Sequence, residues 1–174
     1  ASFALEQLQT EDGRLLRSYR NGSAQLNAYL VDYAFLVDGL LSLYRATQDP
    51  QWLKAARSLT DKQIELFWDE DSGGFFFTSG DHETLIARAK KRTDGVLPSG
   101  NGVAAANLVF LANMFPDSHY GDYADRLVGR LSADLKDPFQ ARRMPTTANA
   151  AGAWLRQQSE NKNHQEQATP KASP

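Results

Sequence analysis

Two kinds of helical segment alternate along the chain. From Asp32 to Thr47 the run DYAFLVDGLLSLYRAT is apolar almost all the way round, which predicts a helix covered on most faces. Asp49-Pro50 breaks it: proline disfavours helix in the residue before it and suits the first turn of the next. From Pro50 to Phe67 the pattern is amphipathic. Trp52, Ala56, Leu59 and Leu66 form one stripe, and Lys54, Arg57, Asp61, Lys62 and Glu65 fall mostly elsewhere, as on an outer helix. The alternation recurs. Asn101 to Met114 carries no charge and reads as buried all round, with Ser99 or Asn101 as its cap. His119 to Leu135 places Tyr120, Tyr123, Ala124, Leu127, Val128, Leu131 and Leu135 at helical spacing, again as an outer helix.

The second pair overlays the first at an offset of 68 residues, with Asp49 on Asp117, Trp52 on Tyr120, Ala56 on Ala124 and Leu40 on Leu108. This is an internal repeat of one helical hairpin. Such a unit cannot hide its apolar face alone and must stack on a neighbour. The fold class is therefore all-α, built of antiparallel hairpins in an inner and an outer layer. The units span about 32–67 and 101–135, within a domain of 1–155.

Between the pairs, Gly73-Gly74 and the β-prone run Phe75-Phe76-Phe77-Thr78 predict a small β-hairpin near 68–78. A long polar loop follows from Ser79 to Pro98, with a strand near Leu85–Ala89. Ala1–Leu8 reads as the end of a helix. Thr146–Arg156 forms one more short helix, anchored by Trp154 and Leu155. From Gln157 the chain is polar and reads as a disordered or extended tail over 156–174.

Composition narrows the function classes. The 174 residues are 41% hydrophobic and 23% charged, with a formal net charge of −2. That is globular material without the basic footprint of a nucleic-acid binder. There is no cysteine, so disulfides, a thiol nucleophile and thiolate-bound metal are excluded within these residues. No window reaches the roughly 18 apolar residues of a membrane span. Neither a membrane nor a cofactor is expected. A cytoplasmic setting is the expectation, although the missing cysteines do not decide it.

Three stretches carry a family resemblance: LVDYAFLVDGLLSLYRATQDPQWLKAA, FWDEDSGGFFFT and RAKKRTDGVLPSGNGVAAANLVFLA. Together they resemble the C-terminal region of the YyaL-type, or spermatogenesis-associated, thioredoxin-domain proteins, over roughly Glu11–Met144. The resemblance implies part of an (α/α)6 toroid, similar to six-hairpin glycosidases and N-acylglucosamine 2-epimerases. It also implies a thioredoxin-like domain that this chain does not contain. Two positions depart from the family pattern. Val31 stands where an acidic residue usually precedes the DYA aspartate, and Gly102 stands for the serine of PSGNS.

In such toroids a ligand sits where loops lead into the inner helices. Asp32 and Tyr33 open the first inner helix; Ser99, Gly100 and Asn101 open the second. The 88–94 loop, with Arg88, Lys90 and Asp94, immediately precedes the second set. With Phe77, these residues suit a sugar-like molecule: amides and charges bond hydroxyls, and rings stack on apolar sugar faces. Tyr33, Phe77, Arg88, Lys90, Ser99 and Asn101 are the ligand-binding candidates; Asp32, His82 and Asp94 are the catalytic ones. Capping alone also explains Asp32 and Ser99, Tyr33 also reads as core, and Asp94-Gly95 also reads as a turn. Adjacent Asp69, Glu70 and Asp71 read as a solvated turn rather than a glycosidase pair. Asp81-His82-Glu83 is too compact to surround a metal, and no metal is expected. The leading expectation is a carbohydrate-active or carbohydrate-binding toroid fragment. The alternative is a non-catalytic module that covers its hairpin faces with the rest of a longer protein or with a second copy.

Overall fold

The computed structural model describes residues 1–82 and 88–168, with the side chains of 164–168 excepted. Among the described residues there are seven helices and one two-stranded sheet: α1 (Ser2–Gln7), β1 (Leu16–Arg20), β2 (Ser23–Asn27), α2 (Leu30–Thr47), α3 (Pro50–Phe67), α4 (Gly100–Met114), α5 (Tyr120–Leu135), α6 (Pro138–Ala141) and α7 (Pro145–Ala168). The fold is all-α with a small β-hairpin, as the periodicity predicts. None of these helices is long and apolar enough to cross a membrane.

The helices follow their local chemistry. Asp49 caps α3 by accepting from Gln51 N at 3.0 Å, with Pro50 in the first turn. Ser99 caps α4 by accepting from Gly102 N at 3.0 Å. The α2 C-terminus closes on Gln48 in the left-handed conformation, φ 56. Inner helices α2 and α4 pack on each other, α3 covers α2, and α5 and α7 cover α4. Asn107 ties the inner pair together, its Nδ2 donating to Ala34 O at 2.9 Å.

The inner helices differ in cover. α4 is buried on nearly every side, because α7 closes the flank that α2 and α5 leave open. On α2, Leu30, Tyr33, Ala34, Val37, Leu40 and Leu41 are buried, but Val31, Phe35 and Leu36 are only half-buried. Among the described residues, no helix plays the part of α7 for α2.

Gly100 and Gly102 set the spacing of α4. A Cβ at 100 would lie 3.1 Å from Leu30 and Val31 of α2. One at 102 would lie 2.9 Å from Ser99 Oγ and 3.1 Å from Thr147 Oγ1 of α7. Gly102, which stands for the serine of the resembled motif, thus lies directly against the start of α7.

Three expectations change. The 68–78 segment is a tight turn closed by the single bridge Trp68–Phe75, with Gly73 and Gly74 at φ 69 and 79. No ladder forms there, because the residues before Trp68 belong to α3 and Phe77 bonds Ala89 O and Leu30 N instead; Asn101 bonds the outward-facing backbone groups of Phe75. The laddered hairpin is instead β1–β2, turning at Asn21-Gly22 with φ 51 and 78, the backbone of a type I′ turn. Lastly, the expected polar tail is helical as far as Ala168; its Gln, Glu and Lys residues are good helix formers. The expected strand near Leu85–Ala89 falls mostly on 85–87, outside the described residues, as does the tail beyond 168.

Candidate functional site

The two inner-helix starts lie on one side of the molecule, but most of their polar groups are engaged by backbone. Tyr33 is fully buried, and its hydroxyl accepts from Leu15 N at 2.7 Å; burial pushes that phenol above its ordinary pKa. Asp32 accepts from Tyr29 N at 2.8 Å in a capping box. Asn101 is 1% exposed. Its Oδ1 accepts from Phe75 N at 2.8 Å, and its Nδ2 donates to Phe75 O at 2.9 Å and Lys91 O at 3.0 Å. Asp94 accepts from Ser99 N at 2.8 Å and from Thr146 N at 2.9 Å, joining the starts of α4 and α7.

The loop cations are held as well. Lys90 bonds Asp69 at 2.5 Å, Ser72 Oγ at 2.8 Å and Gly73 O at 2.6 Å. The Lys90 ammonium, helped by the Ser72 hydroxyl, holds the Asp69 carboxyl well below the usual carboxylate range. Arg88 donates through Nε to Thr78 O at 3.0 Å and lies 4.0 Å over the Phe76 ring.

Beside these clasps lies an open groove of about 670 Å³, lined by Arg17, Leu26, Asn27, Tyr29, Thr78, Asp81 and His82. The β1–β2 hairpin forms one wall. The segment after the 68–75 turn forms the other, pinned by Leu30 N donating to Phe77 O at 3.1 Å. Tyr29 is the floor. Phe77 stacks on it at 5.0 Å and 14°, and His82 at 5.0 Å and 27°. Arg17 lies 4.7 Å over the same ring, and Lys91 lies 4.6 Å over Phe77. Leu26 stands at the lip, 69% exposed and at φ 64. A positive φ is costly for leucine and marks a conformation imposed by its surroundings.

Asp81 and His82 of the lining form a cluster with Arg14 and Ser79. Arg14 grips both oxygens of Asp81, with Nη2 at 2.8 Å from Oδ1. Its Nη2 also donates to Ser79 Oγ at 2.8 Å. Ser79 Oγ lies 2.6 Å from Asp81 Oδ1 and 2.6 Å from His82 Nδ1. A hydroxyl has one proton, and Asp81 is the acceptor that takes it; Arg14 and the Nδ1–H of His82 then donate to Ser79. The serine sits between acid and imidazole, the reverse of a nucleophilic triad. Arg14, helped by Ser79, keeps the Asp81 carboxyl far below its ordinary range.

Of the expected site residues only His82 lines the groove; Phe77 stacks on Tyr29, Asp32 lines the separate hollow beside α2, and Tyr33 lies in the core. Ser99, Asn101, Asp94, Arg88 and Lys90 lie in the adjoining clasp. Sequence reasoning missed Arg14, Arg17, Asn27 and Tyr29. The Asn21-Gly22 turn was the available signal for the hairpin wall. Among the described residues no three His, Asp or Glu side chains group as metal ligands; Glu83 lies outside them.

By fold this is a helical-hairpin protein with a β-hairpin wall beside its inner-helix starts. No protein-family model matches it. Over 106 residues, 60% of the chain, it is 42% identical to spermatogenesis-associated protein 20 of Rattus norvegicus and of Homo sapiens. It is 29% identical over 133 residues, 76% of the chain, to an uncharacterized protein of Caenorhabditis elegans. The chain is thus homologous to spermatogenesis-associated protein 20, in agreement with the resemblance carried by its motifs. It spans 13% of the length of those mammalian relatives and 18% of the nematode one.

Proposed function

We propose that the groove binds a sugar-like small molecule, within a unit that forms part of an (α/α)6 toroid. The observation that carries the reading is the Tyr29 floor, with Phe77 and His82 stacked beside it and Arg17, Asn27 and Thr78 around it. An aromatic cluster beside convergent hydrogen-bonding groups suits a pyranose, whose ring has an apolar face and a polar rim. Binding is favoured over glycoside hydrolysis. Hydrolysis needs two carboxyl groups facing the substrate, whereas Asp81 is neutralised by Arg14 and Asp32 is engaged in capping. Calorimetry with a panel of mono- and disaccharides tests the proposal. Heat of binding that disappears in Tyr29→Ala supports it; a silent panel with the folded chain sinks it.

A second reading, an assembly surface, has its own observation. The half-buried side of α2 lines an apolar hollow of about 440 Å³ with Ala4, Leu8, Phe35, Leu36 and Leu97, and neighbouring Val96 is fully exposed. Patches of this kind mark contact surfaces. Sedimentation tests it: a mass that rises with concentration supports the reading, and a monomer at all concentrations argues against it.

A further inference from the structure

The charges around the groove are unevenly neutralised. Asp81, the one carboxylate among the described residues lining it, is held by both Arg14 nitrogens and takes the Ser79 proton. Its charge is matched before any ligand arrives. Arg17 is matched less closely. Among the described residues its nearest carboxylate oxygen, on Asp32, is an ion-pair partner 3.9 Å from Nε, beyond hydrogen-bonding distance. That same oxygen already accepts from Tyr29 N. Among the described residues the Arg17 guanidinium donates no hydrogen bond; it lies over the Tyr29 ring with its side chain 46% exposed. Lys91 is similarly placed over Phe77, on the neighbouring ring of the same stack.

His82 adds directionality. Its Nδ1 is tied to Ser79, which fixes the ring and leaves Nε2 as the nitrogen without a partner among the described residues. Arg17 and His82 both line the groove and both stack against Tyr29. Arg17 is thus a cation with open donors, among the described residues, beside a carboxylate already matched, in a chain whose formal net charge is −2.

We infer that the groove selects an anionic sugar, a monosaccharide bearing a carboxylate or phosphate, with Arg17 holding the anion and His82 Nε2 accepting a hydrogen bond from a ring hydroxyl beside the Tyr29 stack. The inference rests on the sugar-binding reading above. A planar guanidinium donates paired hydrogen bonds to either oxyanion, and Asn27 and Thr78 remain for ring hydroxyls.

Calorimetry on the full chain with glucose, glucuronate, glucose 6-phosphate and inorganic phosphate tests it. At least one anionic sugar should bind about tenfold more tightly than glucose, as expected for one charge-assisted hydrogen bond. That advantage should shrink as sodium chloride is raised. Arg17→Gln should erase the difference between the anionic sugar and glucose measured on the same variant, and Arg17→Lys should keep part of the advantage. Whether carboxylate or phosphate is the stronger ligand identifies the anion. Glucose binding as well as either anionic sugar overturns this inference and leaves the sugar reading standing. So does an advantage that survives Arg17→Gln. Inorganic phosphate binding as tightly as glucose 6-phosphate, or no sugar binding at all, overturns both.

Discussion

Both ends of the Asn101 amide are bonded to backbone in a nearly dry place. The sequence marks this position as distinctive, but spacing along the chain cannot show that its partners are Phe75, 26 residues away, and Lys91. The same holds for Asp94, Ser99 and Asp32: their residue types are legible as polar groups at helix starts, while their partners become visible only once the loops are placed. Because Asn101 leaves a donor and an acceptor of buried backbone unmatched when removed, Asn101→Ala should lower stability by about 2–3 kcal/mol. Urea titration reads this directly, and a change below about 0.5 kcal/mol would show that the clasp is dispensable. The paired aspartates give a pH signature. Asp69 and Asp81 have folded-state values depressed below the unfolded value of about 3.9. Their contribution is therefore fully present above that value and is lost as the pH falls through and below it. The urea midpoint should drop between pH 5 and roughly pH 2.5, and Asp69→Asn should flatten the lower part of that decline.

At the level of elements, the helices were the legible part. Their 3.6-residue periodicity, the Asp49-Pro50 break and the Ser99 cap are local signals, and the limits of α3 match the expectation at both ends. The β1–β2 hairpin was not read because its strands, LRSYR and SAQLN, are mostly polar and exposed and lack the apolar alternation that announces a buried face. The contact of α4 with α7 is equally invisible to periodicity, since it depends on a missing Cβ. Gly102→Ala gains helix propensity of about 1 kcal/mol but drives a methyl against Ser99 Oγ and Thr147 Oγ1, an overpacking that costs about 1–3 kcal/mol. The net effect should be a loss of stability. Thr147→Ala should be nearly neutral alone, since its buried hydroxyl has no hydrogen-bond partner. In Gly102→Ala it should restore part of the loss; strictly additive effects in the double-mutant cycle would show that the two positions do not touch.

For the molecule as a whole, the two hairpin units share one core running from Leu15 to Trp154. α7 is part of that core. Trp154 is buried, and its Nε1 donates to Asp125 of α5 at 3.0 Å. Tryptophan fluorescence and far-UV circular dichroism should therefore report one coincident unfolding transition. Removing 145–174 should abolish the near-UV signal by stripping the flank of α4; a truncated chain that keeps a sharp transition would show that α7 is only an appendage.

The hairpin wall also has a numerical consequence. The helical units repeat at an offset of 68, but the position corresponding to Tyr29 is Leu97, and β1–β2 is the only two-stranded ladder among the described residues. The repeated helical scaffold thus does not repeat the floor of the groove. Ligand titrations should accordingly saturate at one equivalent per chain, with a stoichiometry that stays at one even though the architecture is twofold repeated.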